Sequence, residues 1–230
     1  MHSTAMENCK KFFAAYADGF SRSPNVDIVE IGSQDVNGNF RSLAPVGCNY
    51  VGVDFTEGRG VDVVLTDPYS LPFDNESVDV VLSSSCFEHS EMFWVVFIEI
   101  LRVLKPNGLF YLNVPSNGAF HRYPVDCWRF YPDSGRALVS WARRNSLNST
   151  LLESYTSDQQ GDIWNDFVAV FLKDEAYVQD FKSRILDSIS DFHNGMLYGS
   201  SEILRPRFFP EDLMKLSAIN QIINNQIKLT

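Results

Sequence analysis

The chain has little basic charge, few cysteines and no long apolar run, and each shortage removes a class of function. Of its 230 residues, 19 are Lys or Arg against 29 Asp or Glu, a formal charge of −10. A groove that tracks DNA or RNA needs a positive field, so nucleic acid is not the expected partner. The four cysteines, Cys9, Cys48, Cys86 and Cys127, form no CxxC pair. Cys86 and Cys127 lie among apolar residues, which points to buried thiols in a reducing cytoplasm, and no metal site is signalled. The longest apolar stretch, Phe93 to Leu104, is twelve residues and already holds Glu99 and Arg102; a membrane span takes roughly 20. The first residues, MHSTAMENCKKFF, lack the apolar segment of a secretory leader. Gly and Pro, 13 and 10 in number, are too few for a collagen-like or low-complexity chain.

What is present is a globular composition, 45% hydrophobic and 21% charged, in a length that suits one domain with a modest appendage. Phe12, Phe13, Tyr16 and Phe20 recur at spacings of three and four, which predicts an N-terminal helix within residues 1–22, ended by Ser23-Pro24-Asn25. Short β-branched runs follow at Val26–Ile31, Tyr50–Asp54, Val61–Leu65, Val78–Ser83 and Leu109–Val114. Several are continuously apolar, as in parallel strands covered on both faces. A helix from Glu91 to Leu104, stopped by Lys105-Pro106-Asn107-Gly108, and a second from Pro132 to Asn145 complete a βαβα rhythm. Thr150–Tyr155 and Asp166–Leu172 have no helix between them and predict an antiparallel hairpin. The expected fold is doubly wound α/β with a mostly parallel sheet, on residues 1–173. Beyond Lys173 a weak stripe of Phe181, Ile185, Leu186 and Ile189 predicts a helical appendage, 174–230, that covers a site or pairs two subunits as a homodimer.

The informative stretch is VDIVEIGSQDVNG, residues 26–38, followed by YVGVD, residues 50–54. A strand ends in Glu30 and turns on Gly32; 22 residues after Gly32 a second strand ends in Asp54. In a doubly wound sheet that spacing brings Gly32 and Asp54 to neighbouring strand ends, where the glycine admits a ligand and the carboxylate accepts from ribose hydroxyls. The dinucleotide pattern GxGxxG is not met. Gln34 stands where its second glycine belongs, and Asp35 would repel a pyrophosphate at the following helix start. A nucleoside ligand without phosphate and with cationic character fits instead. S-adenosylmethionine (SAM) has a ribose, an adenine, an ammonium and a sulfonium.

These segments resemble the class I SAM-dependent methyltransferases of the broad bacterial small-molecule group, from about Val26 to Lys173. The matching stretches are VEIGS (29–33), YVGVD (50–54), DPYSLPF (67–73), SVDVVLSSSCFEH (77–89) and ILRVLKPNGLFYLNVP (100–115). The resemblance implies a seven-stranded Rossmann-like sheet and a cofactor site of Glu30, Gly32, Ser33, Gln34, Asp54, Phe55, Asp67, Pro68, Tyr69, Ser84 and His89. Asp67 would lie near the adenine amino group, with Tyr69 and Leu71 flanking the ring; Glu88-His89 would pass the methionine end. Bland roles stand beside these: Asp54 and Asp67 as turn residues, Glu88-His89 as a helix cap. The segment FHRYPVDCWRFYPDSG (120–135) looks like one found in methyltransferases placed with surface-polysaccharide functions.

His121 is the candidate general base, since an imidazole titrates in the useful range and Asp126 and Arg129 stand near it in sequence; substrate binding or a plain surface place are its alternatives. Charge is also segregated. Ten acids face only Arg59 between Asp54 and Glu99, whereas seven basic residues face only Asp126 and Asp133 between Arg102 and Arg144. The acidic part suits a sulfonium, and the basic part suits an anionic sugar, with Arg122, Tyr123, Asp126 and Arg129 as acceptor-binding residues. The expected activity is methyl transfer from SAM to a hydroxyl of a sugar or glycan precursor, releasing S-adenosylhomocysteine. A non-catalytic SAM-binding regulatory subunit and a NAD-dependent oxidoreductase are the rivals.

Overall fold

The β-branched runs form strands β1 (Asp27–Ile31), β2 (Asn49–Asp54), β3 (Val63–Val64), β4 (Val78–Ser84), β5 (Leu104–Pro115), β6 (Thr150–Ser157), β7 (Asp166–Leu172) and β8 (Phe192–Leu197). Helices α1 (Ser3–Phe20), α2 (Phe93–Val103), α3 (Ser134–Arg144) and α4 (Glu211–Ile223) accompany them. The structure is a computed structural model and describes residues 2–20, 25–160, 163–208, 211–224 and 226. Ser23 and Pro24 of the expected helix stop lie outside the described residues.

All eight strands join one sheet in the order β3-β2-β1-β4-β5-β7-β6-β8. The first five pair in parallel, and β7, β6 and β8 add antiparallel pairings. The strand order reverses direction between β1 and β4. In an open α/β sheet that is where a crevice opens beyond the carboxyl ends of the strands.

The side-chain period of two divides β5 between two cores. Phe110, Leu112 and Val114 face α2 and α3, while Leu109 and Tyr111 face α1. On the α2 side, Phe97 packs edge-on against Phe171, which in turn stacks on Phe110. On the α1 side, Phe12 lies against Tyr16 and Tyr111. Both helices are amphipathic because their apolar residues recur at helical spacing, and burial of those stripes holds the layers together.

Four expectations shift. Among the described residues the sheet has eight strands, not seven. The predicted stop at Lys105-Pro106-Asn107-Gly108 lies inside the span of β5, because Leu104 already pairs with Val78. Past Lys173 the chain is less helical than its pattern suggests: 3-10 turns at Glu175–Asp180 and Ile185–Asp187 lead into β8. There Ile185 and Leu186 are buried in the α1-side core. Asp187 accepts from the Arg184 N–H as the cap that starts the second turn, and Arg184 itself is extended, so the Phe181–Ile189 stripe is broken there and does not form one α-helix. Finally, Cys127 is exposed rather than buried; all four cysteines are free thiols. Among the described residues no helix is long and apolar enough to cross a membrane.

Candidate cofactor and acceptor site

A cleft of about 840 Å³ opens at the carboxyl ends of β1, β2, β3 and β4. Its floor begins at Gly32, whose φ of +76° belongs to the left-handed region. A Cβ there would sit 2.7 Å from the Cβ of Cys86, so only glycine fits between the β1 and β4 turns. Asp54, at the end of β2, reaches the same cleft. Its Oδ2 accepts from the Gln34 N–H at 3.2 Å and its Oδ1 from the Thr56 N–H at 3.1 Å. These two bonds fix the carboxylate across the β1–β2 crevice and leave further lone pairs for a diol. Phe55, Pro68 and Tyr69 line the far end, and Ser84 and His89 line the end beside β4.

Three of the expected cofactor residues lie elsewhere. Glu30 is buried beneath the floor, where the Tyr50 hydroxyl donates to its Oε2 at 2.7 Å. Burial pushes its carboxyl up to about 7, against the pull of that hydrogen bond. Ser33 is buried with its side chain beside Gly52, outside the cleft. Asp67 accepts from the Tyr69 N–H at 2.9 Å and so shapes the turn that delivers Pro68 and Tyr69. Leu71 is in the α2-side core, and Leu65 lines the cleft in its stead.

The other wall is the loop after β5. His121, Arg122 and Tyr123 line the cleft, while Asp126 and Arg129 stand behind them. Arg129 donates to both oxygens of Asp126, at 2.6 and 2.9 Å, and Asp126 also accepts from the His121 N–H at 2.7 Å. The Arg129 guanidinium thereby holds the Asp126 carboxyl down at about 2. Neither residue lines the cleft, and the pair braces the loop that does. Gln34, which departs from the dinucleotide pattern, accepts from the Tyr123 hydroxyl and ties the loop to the β1 turn.

Two cleft residues carry no local sequence signal. Trp164 comes from the segment before β7 and lies edge-on to His121. His2 comes from the start of α1 and stacks on Trp164. Only the folded sheet brings them to β4. Beside them Glu88 is fully buried, and burial pushes its carboxyl up to about 8. His89 is pulled the other way, below the ordinary imidazole range, chiefly by its own burial. His89 and His121 are in T-shaped contact, with ring centroids 5.0 Å apart.

The residues present fit SAM. A glycine-floored turn, an anchored carboxylate at the next strand end and an apolar shelf at Phe55 and Tyr69 match a ribose between its two ends. No fingerprint turn exists for the pyrophosphate of NAD.

Residues 29–112 match the family model described as a methyltransferase domain. The phthiotriol/phenolphthiotriol dimycocerosates methyltransferase of Mycobacterium tuberculosis strain H37Rv is 36% identical over 93 residues, covering 37% of this chain and 33% of that protein. Its counterpart in Mycobacterium leprae is 33% identical over 128 residues, covering 52% of this chain and 43% of that protein. The chain thus spans a third to under half of the length of these relatives. Among solved structures, a 1,6-didemethyltoxoflavin-N1-methyltransferase of Burkholderia thailandensis, with bound 1,6-didemethyltoxoflavin and S-adenosylhomocysteine, superposes with a TM-score of 0.55. It covers 74% of this chain and 79% of its own, at 15% identity, a likeness of fold. Strand order, crevice and family match agree on a SAM-dependent methyltransferase domain of class I, with the family match confined to residues 29–112.

Proposed function

We propose that the protein transfers a methyl group from SAM to a hydroxyl of a small acceptor, a sugar or glycan precursor, and releases S-adenosylhomocysteine. One observation carries this reading: the cleft has two chemically distinct ends, Asp54 at one and the imidazoles of His89 and His121 with Arg122 at the other. Bound SAM supplies an electrophilic methyl on its sulfonium. Asp54 would accept from the ribose hydroxyls, and Gly32 would let the cofactor lie against the backbone. His121, positioned through its own N–H by Asp126, would take the proton of the acceptor hydroxyl. Arg122 would pair with an anionic group on the acceptor, such as a sugar phosphate. Phe120 and Tyr131, both largely exposed on the segment between β5 and α3, would offer ring faces to a sugar. The four free thiols suit a reducing cytoplasm.

Calorimetric titration of the purified chain with SAM and S-adenosylhomocysteine, with NAD as control, tests the cofactor half. Release of S-adenosylhomocysteine across a panel of sugars, nucleotide sugars and matched amines tests the acceptor half. Binding of both adenosyl compounds and turnover with hydroxyl acceptors alone is the expected result. SAM binding with no turnover on any acceptor would favour the regulatory subunit, and turnover on amines alone would overturn O-methylation.

A further inference from the structure

We propose that Glu88, His89 and His121 form a site for one divalent transition-metal ion of the zinc class, at the acceptor end of the cleft. Among the described residues this is the one place where three His, Cys, Asp or Glu side chains offer ligand atoms to a common point, all within 4.8 Å of one another. Glu88 Oε1 is 3.7 Å from His89 Nε2. Ligand atoms of a tetrahedral ion with bonds of about 2.0–2.1 Å stand roughly 3.3–3.4 Å apart, so small side-chain movements close the triad.

The hydrogen bonds around the triad supply the second observation. His89 Nδ1 faces the carbonyl oxygen of Val125. A carbonyl only accepts, so Nδ1 carries the proton and Nε2 presents a lone pair. His121 Nδ1 lies 3.0 Å from the carbonyl oxygen of Ala119 and 3.6 Å from Asp126 Oδ2. The Ala119 carbonyl, nearer to Nδ1 than the Arg129 guanidinium at 3.5 Å, again places the proton on Nδ1 and frees Nε2. Metal-binding histidines are oriented in just this way, by a carbonyl or carboxylate on the far nitrogen. The third member, Glu88, is 1% exposed, and its Oε2 has no hydrogen-bond partner. A buried carboxylate with one oxygen left so is costly, and a cation held between its Oε1 and the two imidazoles would balance its charge.

Two imidazole nitrogens and one carboxylate select zinc, iron, cobalt or nickel over magnesium or calcium, which prefer all-oxygen sets. Three protein ligands leave a position open toward the cleft. The ion's role there rests on the methyl-transfer reading; its binding does not. An acceptor hydroxyl in the open position would lose its proton to solvent more readily. Its oxygen would then form the bond to the methyl carbon as the carbon–sulfur bond breaks and the electron pair passes to sulfur. In the metal-loaded protein the lone pair of His121 thus binds the ion, and the ion takes over the activation of the acceptor.

The test is titration of the full chain, stripped by chelator, with Co²⁺ followed by displacement with Zn²⁺, read by visible absorption and by metal analysis. One equivalent with a four- or five-coordinate cobalt spectrum is expected. Glu88→Gln and His89→Ala should each weaken binding at least about tenfold, and His193→Ala should not. His121→Asn, at a side chain 41% exposed, provides a variant that folds if the buried ones do not. No saturable binding, or binding unchanged in both Glu88→Gln and His121→Asn, overturns the site. SAM calorimetry on the same samples separates the two proposals, since loss of SAM binding with metal binding intact would sink the methyl-transfer reading alone.

Discussion

The hydroxyl of Tyr123 donates to the side-chain oxygen of Gln34 at 2.7 Å, across 89 residues of sequence. It joins the loop after β5 to the turn after β1, the two segments that wall the cleft on opposite sides. Tyr123→Phe removes this bond and little else. An exposed neutral hydrogen bond contributes about 0.5–1.5 kcal/mol, so SAM affinity should fall roughly two- to tenfold, with a faster off-rate in stopped-flow binding. Unchanged affinity and off-rate would mean the loop closes without this bond.

Asp54 is the stronger dependence. Its carboxylate anchors two backbone N–H groups as well as facing the cleft. Asp54→Asn keeps the shape and drops the charge, and should weaken SAM by about 1.5–3 kcal/mol, the worth of charge-assisted bonds to hydroxyls. Calorimetry checks this, with thermal melting to confirm the fold. Full affinity in Asp54→Asn would place the ribose elsewhere.

Gly32→Ala meets two penalties together, the left-handed backbone and the Cys86 contact at 2.7 Å. The backbone share alone is about 1–2 kcal/mol, and the clash adds to it. Chemical denaturation should show the loss. The double variant Gly32→Ala with Cys86→Gly should recover the steric part and leave the conformational part.

Glu30 sets a pH dependence of stability. Its folded carboxyl titrates at about 7, raised by burial from 4.5. A raised folded value means the native state binds the proton more tightly than the unfolded chain. The contribution is therefore fully present below about 4.5 and is lost as pH rises toward 7. The loss is on the order of 3 kcal/mol. Glu30→Gln keeps an acceptor for the Tyr50 hydroxyl and should flatten this part of the profile, making the variant the more stable protein at pH 8. Equal slopes for wild type and variant between pH 5 and 7 would show that Glu30 stays charged.

The parts legible in the sequence are those with local patterns. The apolar runs around Val29, Val81, Phe110 and Val168 announce covered strands, and the Gly32–Asp54 spacing announces the crevice. Strand β8 was hidden because its FHNGML sequence does not alternate. It carries a left-handed Asn194 with φ of 53° and a glycine beside it. The Phe181–Ile189 stripe misleads for the opposite reason: its spacing is helical, but Arg184 is an extended N-cap that starts a new turn, and burial against α1 holds that turn in place. Glu88-His89 and His121 are separated by 32 residues, and nothing short of the β5 loop folding back over β4 reveals that they converge. Trp164 and His2 reach the cleft by the same kind of long-range closure.

Glu153, buried on β6, accepts from the Tyr16 hydroxyl of α1 and from the Ile185 and Leu186 N–H groups of the turn before β8. During synthesis, α1 and β6 leave the ribosome before the 185–186 turn. Until that turn emerges, the carboxylate lacks two of its three partners and the aromatic face of α1 lacks part of its cover. A messenger truncated after codon 173 would therefore leave a product that keeps the whole cofactor crevice yet exposes a sticky back face. In a cell such a product would be a client for chaperones and proteases before it was a catalyst.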